Sequence, residues 1–542
     1  RLVSDWSSDV CSSDLGPPAF GYRDTIETTS YSSFRITNAN RTPVVYVGAN
    51  DGMLHGFNAN TGAELMAYVP SKLFGTLSTL ASPSYNHRYY VDGSPTVVDA
   101  FINSQWRTVL VGGLGRGGQS IYALDVTDPS IYSNANAAAT AAAISLWEFS
   151  DTNDADLGYT YSQPAIVKLQ NGVWAAIFGN GYNNTEADGA ASTTGNAVLY
   201  VVNLHTGALI KKISTEQGTA QDPTGQARPN GLASVTAIDL DGDFMVDYVY
   251  AGDLFGNLWK FNLDNSNPNQ WDVAYKTGST PKPLFTACRG TSCTTGSSSN
   301  AQAITSAPTV GRHPSNNGVM VYFGTGKYLE TTDNDGAAGG VQSFYGLWDK
   351  GSMISGRSTL QSQSILLELG ANTSGNPFNY DLRVTSNNSI NWTSQLGWYM
   401  DLVSPGNVER GERQITNSVL RNNRIIFTTT IPSTDPCLPG GSSWLMEMDA
   451  VSGSRLVYSP FDLNGDRAFT SADFVTVTIG DEQVQVPVSG VKTSGGGAAT
   501  PNVMATEEGE VKCISTSAGM ECIRENPGPK DTSRQSWKQL GL

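Results

Sequence analysis

The stretch DLDGDFMVD puts Asp239, Asp241 and Asp243 at alternate positions, with Asp247 four residues further on. A tightly wound loop with that spacing turns three carboxylates inward on one cation. Asp247 supplies a fourth, and the Met245 carbonyl can fill the gap between them. Hard oxygen donors in a flexible loop suit calcium, whereas magnesium would keep more of its water. Without a cation the carboxylates repel one another, and a solvated acidic hairpin does not need four of them. A second stretch, DLNGDRAFTSAD, sets Asp462, Asn464 and Asp466 at the first, third and fifth positions of an EF-hand register. Ala468 offers a carbonyl, Thr470 a hydroxyl or bridging water, and Asp473 the closing carboxylate. This loop departs from the pattern: Gly465 comes early, Arg467 stands where a glycine is expected, and Asp473 replaces the longer Glu. Weaker calcium binding is expected here, and an Asx-rich turn is the competing reading.

Catalytic constellations are scarce. GGLGRGGQS, from Gly112, precedes a strand where a phosphate-binding loop should open a helix, and it lacks the Lys-Ser/Thr ending. No GxSxG elbow and no HExxH occurs, and His55 in LHGF reads as a packed strand residue.

The elements that must hold these loops follow one grammar. An entry strand recurs as DGSPTVVDA, YSQPAIVKL, LASVTAIDL, TSAPTVGRH, TNSVLRNNR and PVSGVKTSG. Most of the intervals are about 70 residues, the signature of a repeat architecture, and the single longer one contains a Ser/Thr/Asn-rich insertion at about 350–396. Each entry strand leads to an apolar strand, glycine-terminated in WAAIFGNG and VMVYFGTG, and then to a third such as IYALDV or LWKFNL. Short apolar runs suit strands buried on both faces. One more copy, VVYVGANDG followed by LHGFNANTG, has no entry strand before it, which makes seven units. The expected fold is all-β, a modified seven-bladed β-propeller with loop insertions. Sequence beyond Gly490 is expected to complete the first blade.

The chain has 542 residues, with Lys+Arg 33 against Asp+Glu 49 and a formal charge of −16. A nucleic-acid binder needs a basic face, so that class is excluded. No run reaches the apolar length of a membrane span. Residues 1–15, RLVSDWSSDVCSSDL, have no initiating Met and no apolar core of a secretory signal; they read as a non-native, adaptor-like tail, with the propeller domain filling 16–542 of what is a piece of something longer. Setting Cys11 aside, the pairs Cys288/Cys293 and Cys513/Cys522 each enclose a short polar loop that a disulfide could close in an oxidising compartment. Cys437 is left over, or joins the C-terminal pair by an exchange of partners. Zinc is a weaker reading, because His55, His87, His205 and His313 show no ligand spacing.

Several long strings carry a family resemblance: VVYVGANDGMLHGFNANTGAE, GGLGRGGQSIYALDVTDP, DLDGDFMVDYVYAGDLFGNLWKF, VYFGTGKYL with QSFYGLWD, TTTIPSTDPC with GGSSWLMEMDA, and the terminal RQSWKQL. From about residue 20 to the end, the chain resembles the C-terminal propeller of the PilC/PilY1 family of type IV pilus biogenesis factors and tip adhesins. The resemblance implies a non-enzymatic protein of the bacterial surface or pilus tip, exported through the periplasm and associated with the outer membrane. It implies work with minor pilins and other tip components, a host or surface ligand, and roles in pilus extension against retraction, adhesion and twitching motility. It places a calcium site on Asp239, Asp241, Asp243, Met245 and Asp247. Less securely, it places a second on Asp462, Asn464, Asp466, Ala468, Thr470 and Asp473. Some members carry an RGD tripeptide; this sequence has none, so integrin binding is not carried over.

Two other classes compete. ANDGMLHGFNANTGAELMAYVP and IYALDVTDP resemble blade motifs of quinoprotein dehydrogenases, but the adjacent Cys-Cys pair on which many of those enzymes stack their quinone is absent. An outer-membrane assembly scaffold is the third class, and it leaves two acidic loops unexplained.

Overall fold

The computed structural model describes residues 11–14, 20–133, 136–186, 189–337, 339–435, 440–479, 481–506 and 509–528. Cys437, RQSWKQL and the rest of the adaptor-like tail lie outside the described residues. The fold is an all-β, seven-bladed propeller arrangement; among the described residues the α-helices are Tyr31–Thr37 and Ala137–Ile144.

The described residues form two compact units, one made of residues up to 254 with 259–283, the other of 255–258 and residues from 284 onward. In the first, the repeat grammar becomes successive antiparallel sheets. The second blade runs Thr96–Ile102, Gln105–Gly113, Ser120–Asp125, Ser145–Ser150, and the third Ala165–Lys168, Trp174–Gly179, Val198–Asn203, Leu209–Ser214. The fourth runs Leu232–Ile238, Tyr248–Asp253, Asn257–Asn262, Asp272–Val273. Trp174–Gly179 is buried at every residue, as an apolar run covered on both faces should be. Ile177, Val201, Val249 and Trp259 belong to one apolar cluster between the third and fourth sheets, and each such side chain contributes about 1.5–3 kcal/mol by leaving water.

The first blade differs from expectation. Its missing strand is Cys11–Asp14, which pairs antiparallel with Val44–Gly48, from Cys11 opposite Val47 to Asp14 opposite Val44. An open sheet edge binds a neighbour through backbone N–H and C=O groups, so a segment with no apolar alternation can fill it.

In the second unit, PVSGVKTSG is not an entry strand. Gly490–Lys492 lies beside Ser442–Asp449 as an inner member of the sixth sheet, with Gly490 opposite Met446. A Cβ on Gly490 would come within 2.5 Å of the Met446 sulfur, which is why a glycine stands there. The seventh sheet begins at Asn502, just after Ala499-Thr500-Pro501, and consists of Asn502–Thr506, Gly509–Thr516 and Gly519–Glu525. The insertion is not loose chain. Its hairpin Ile365–Leu369/Leu382–Thr385 joins the sixth sheet through Leu382 and Arg383, which pair with Val491 and Gly490.

Both local cysteine pairs are disulfide-bonded. Cys513 and Cys522 face each other across a hairpin. Closing so short a loop restricts the unfolded chain, so the double variant C513S/C522S is expected to lose about 2–3 kcal/mol of stability. Urea unfolding at constant m-value measures it.

Candidate metal centre

The first acidic loop joins Leu232–Ile238 to Tyr248–Asp253 in the fourth blade. Each of its aspartates caps the turn before it could do anything else. Asp239 accepts the backbone N–H groups of Gly242 (2.6 Å), Asp243 (3.2 Å) and Phe244 (3.0 Å). Asp241 accepts that of Asp243 (3.1 Å), Asp243 that of Met245 (2.7 Å), and Asp247 that of Leu240 (2.6 Å). Those bonds wind the chain so that carboxylate oxygens of Asp239, Asp241 and Asp247 lie within 4.8 Å of one another. This is the one such acidic group among the described residues, and Asp243 stands beside it without joining it.

The electrostatics are strained. Asp247 is 5% exposed, and its carboxyl is pushed up to about 6, first by burial and then by the charges of Asp241, Asp264 and Asp239. Burial and the same neighbours also raise Asp243. An all-oxygen donor set dense in carboxylates fits a hard divalent cation. Asp239, Asp241 and Asp247 would hold it, with Asp243 and the Met245 carbonyl as the remaining candidates.

The second loop repeats most of the first loop's turn bonds. Gly465 N–H donates to Asp462 (2.8 Å), Asp466 N–H to Asn464 (2.8 Å), Arg467 N–H to Asp462 (3.1 Å) and Ala468 N–H to Asp466 (2.8 Å). Leu463 N–H donates to Asp473 (2.9 Å), so Asp473 takes the place that Asp247 has in the first loop. Thr470 caps the turn Ser471–Asp473, its hydroxyl accepting from Ala472 N–H. The departures from the EF-hand pattern are shared as well. Gly242 and Gly465 have φ of 86° and 74°, and Phe244 and Arg467, two residues later, have 72° and 67°. Asp462 and Asp473 are buried, while Asn464, Asp466 and Ala468 are exposed.

Sequence reasoning missed three residues here. Asp264 adds its charge to the first loop from the end of a neighbouring strand. Gln170, from the third blade, donates its side-chain amide to Asp247 at 3.0 Å. Phe244 places its ring against Tyr22, with centroids 6.0 Å apart. No local spacing signals any of them, since Gln170 and Tyr22 are distant in the chain. His55 is not simply packed: its ring nitrogens meet Glu64 (2.6 Å) and Asp51 (2.9 Å). Asp253, just past the loop, is buried under Asn230 and the Trp259 indole N–H.

Sheets repeated in this way, with acidic loops between their strands, define a β-propeller. The chain belongs to the PilY1 β-propeller family: residues 20–368 match the family described as the PilY1 beta-propeller domain. It is 43% identical over 435 residues to a type IV pilus biogenesis factor PilY1 homolog of Xylella fastidiosa, an alignment covering 79% of this chain and 27% of that protein. It is 36% identical over 540 residues to the type IV pilus biogenesis factor PilY1 of Pseudomonas aeruginosa strain PAO1, covering 94% of this chain and 42% of that protein. The crystal structure of the Pseudomonas aeruginosa PilY1 C-terminal domain superposes with a TM-score of 0.74 at 32% identity, covering 96% of this chain and all of that one. The chain therefore spans less than half the length of these curated relatives. No helix among the described residues is long and apolar enough to cross a membrane.

Proposed function

We propose that this chain is the propeller part of a type IV pilus biogenesis factor: a non-catalytic, calcium-binding protein of the cell surface or pilus tip. It acts with minor pilins and other tip components, and supports pilus extension, adhesion to a host or other surface, and twitching motility. The observation that carries the reading is the similarity to named pilus biogenesis factors over 94% of the chain. The converging carboxylates of Asp239, Asp241 and Asp247 support the calcium part. The second loop is proposed as a weaker calcium site, because its exposed ligand Asn464 brings no charge.

The test is complementation of a strain lacking the native full-length protein, using that protein with Asp241→Ala or Asp247→Ala. Loss of surface pili or twitching together with loss of calcium binding is expected. Unchanged pili and motility despite lost calcium binding would sink the regulatory role of the ion.

A pH dependence follows from Asp247. Its folded-state carboxyl lies above the ordinary carboxylate range, at about 6, so the folded loop holds a proton more tightly than the unfolded chain does. Without a cation, this group therefore adds stability at low pH that is lost as pH rises through about 6. Calcium must displace the same proton, so its affinity should fall about tenfold per pH unit below that value. Calorimetric titrations at pH 5 and pH 7 measure the difference.

A further inference from the structure

The first acidic loop touches a part of the chain that the calcium reading does not use, the segment from Phe20 to Thr37. This segment lies across three blades. Tyr22 packs its ring against Trp106 of the second blade (5.6 Å), Trp174 of the third (5.5 Å) and Phe244 of the loop (6.0 Å). The Arg23 guanidinium sits 5.4 Å from the centre of the Phe244 ring. Further along, Trp106 and Trp174 donate their indole N–H groups to the Thr29 carbonyl (2.9 Å) and Glu27 (2.8 Å). Tyr31, 2% exposed, donates to buried Asp99 at 2.8 Å.

Two routes lead from the carboxylates to this segment. In the first, Asp239 accepts the Phe244 N–H and so fixes that residue at φ 72°, a left-handed conformation that costs a bulky side chain about 1 kcal/mol. The conformation aims the ring at Tyr22 and Arg23. In the second, Lys168 works at both ends. Its carbonyl accepts Val246 N–H from the loop (2.9 Å), while its ammonium holds the Ile26 carbonyl (2.7 Å) and Glu27 (2.8 Å). Gln170, two residues on, holds Asp247.

We propose that cation occupancy of the Asp239–Asp247 loop controls how firmly the segment Phe20–Thr37 is clamped to the second and third blades, with Phe244 as the relay. The proposal rests on the calcium reading above and goes one step beyond it. A bound cation fixes Asp239 and Asp247 together, and that holds both Phe244 and the strand end bearing Val246 in place. An empty loop keeps the same hydrogen bonds against mutually repelling carboxylates, and so holds Phe244 and Val246 less firmly. Tyr31 on Asp99 and the Trp106 indole on the Thr29 carbonyl anchor the segment outside both routes, so emptying the site loosens the segment without releasing it.

The test is hydrogen exchange with mass spectrometry on the full 542-residue chain, in calcium chloride or in chelator, with calcium binding measured in parallel by calorimetry. In the wild type, calcium should slow exchange across 20–37 by about fivefold or more, the lower end of ordinary site-to-site coupling. Phe244→Gly removes the ring and suits the left-handed backbone, so it should remove most of that protection while calcium still binds, its affinity weakened by no more than the coupling factor. Linkage demands the reciprocal effect, so Tyr22→Ala should weaken calcium binding by the factor that calcium gains the segment. Calcium bound by the wild type with unchanged exchange at 20–37 would overturn the coupling and leave the calcium reading standing. Protection persisting in Phe244→Gly would overturn the relay. No calorimetric binding by the wild type would overturn the calcium reading, and the coupling with it.

Discussion

Calcium raises the unfolding midpoint of the wild-type chain, and Asp241→Asn removes the rise while leaving the calcium-free midpoint nearly unchanged. That is the expected result, and the two aspartates on either side of the loop's first turn explain its form. Asp241 is exposed and accepts one backbone N–H, so removing its charge costs the empty loop little. Asp239 accepts three, from Gly242, Asp243 and Phe244, and its loss unwinds the turn whether or not calcium is present. Asp239→Ala should therefore lower both midpoints, and Asp241→Asn only the calcium-bound one. At free calcium about a thousandfold above the dissociation constant, binding to the folded state alone contributes about 4 kcal/mol. Scanning fluorimetry in calcium and in chelator reads all three proteins. A calcium-bound midpoint for Asp241→Asn equal to that of the wild type would remove Asp241 from the ligand set.

The spacing of Asp239, Asp241, Asp243 and Asp247 made the first loop legible because four carboxylates in nine residues form a local pattern with few other uses. The equivalence of the two loops was not legible. Arg467 looked like a defect in the second only because an EF-hand was the template; Phe244 holds the same left-handed position in the first. The blade count was readable from the repeat, but strand identity inside the last blades was not. PVSGVKTSG shares the entry grammar because Gly490 must clear Met446, not because it opens a blade. The strand that completes the first blade is held by its backbone, which leaves no mark in side-chain alternation. Gln170, Asp264 and Tyr22 reach the loop through tertiary packing, which no local window contains.

The same limit hid the most heavily charged part of the core. Lysine and glutamate are rarely fully buried, yet the side chains of Lys512 and Glu525 have no exposure, and neither do those of Arg424 and Glu447. Packing of the sixth sheet against the seventh covers the face of these strands that carries Lys512, Ile514, Ile523 and Glu525, while Met520 and Cys522 on the other face are exposed. Two cations and two anions meet there: Arg424 pairs with Glu447 and, at 2.9 Å, with Glu525, while Lys512 pairs with Glu447 and stands 3.8 Å from Glu525. Lys512 also sits 4.7 Å from the centre of the Phe461 ring, next to Asp462 of the second acidic loop. The four charges balance only as a set. Glu447→Gln leaves two buried cations facing one carboxylate, and Lys512→Met leaves two carboxylates facing one cation. Each is expected to cost about 3–5 kcal/mol, since desolvation is retained and the Coulombic return is lost. The double variant Glu447→Gln/Lys512→Met leaves Arg424 with Glu525, a neutral pair, and should cost about 2 kcal/mol or more less than the sum of the singles. Guanidinium unfolding of the four proteins gives the cycle, with equal m-values showing that the unfolded state has not changed. Additive costs below about 1 kcal/mol each would mean that water reaches these charges, as it does in an exposed pair.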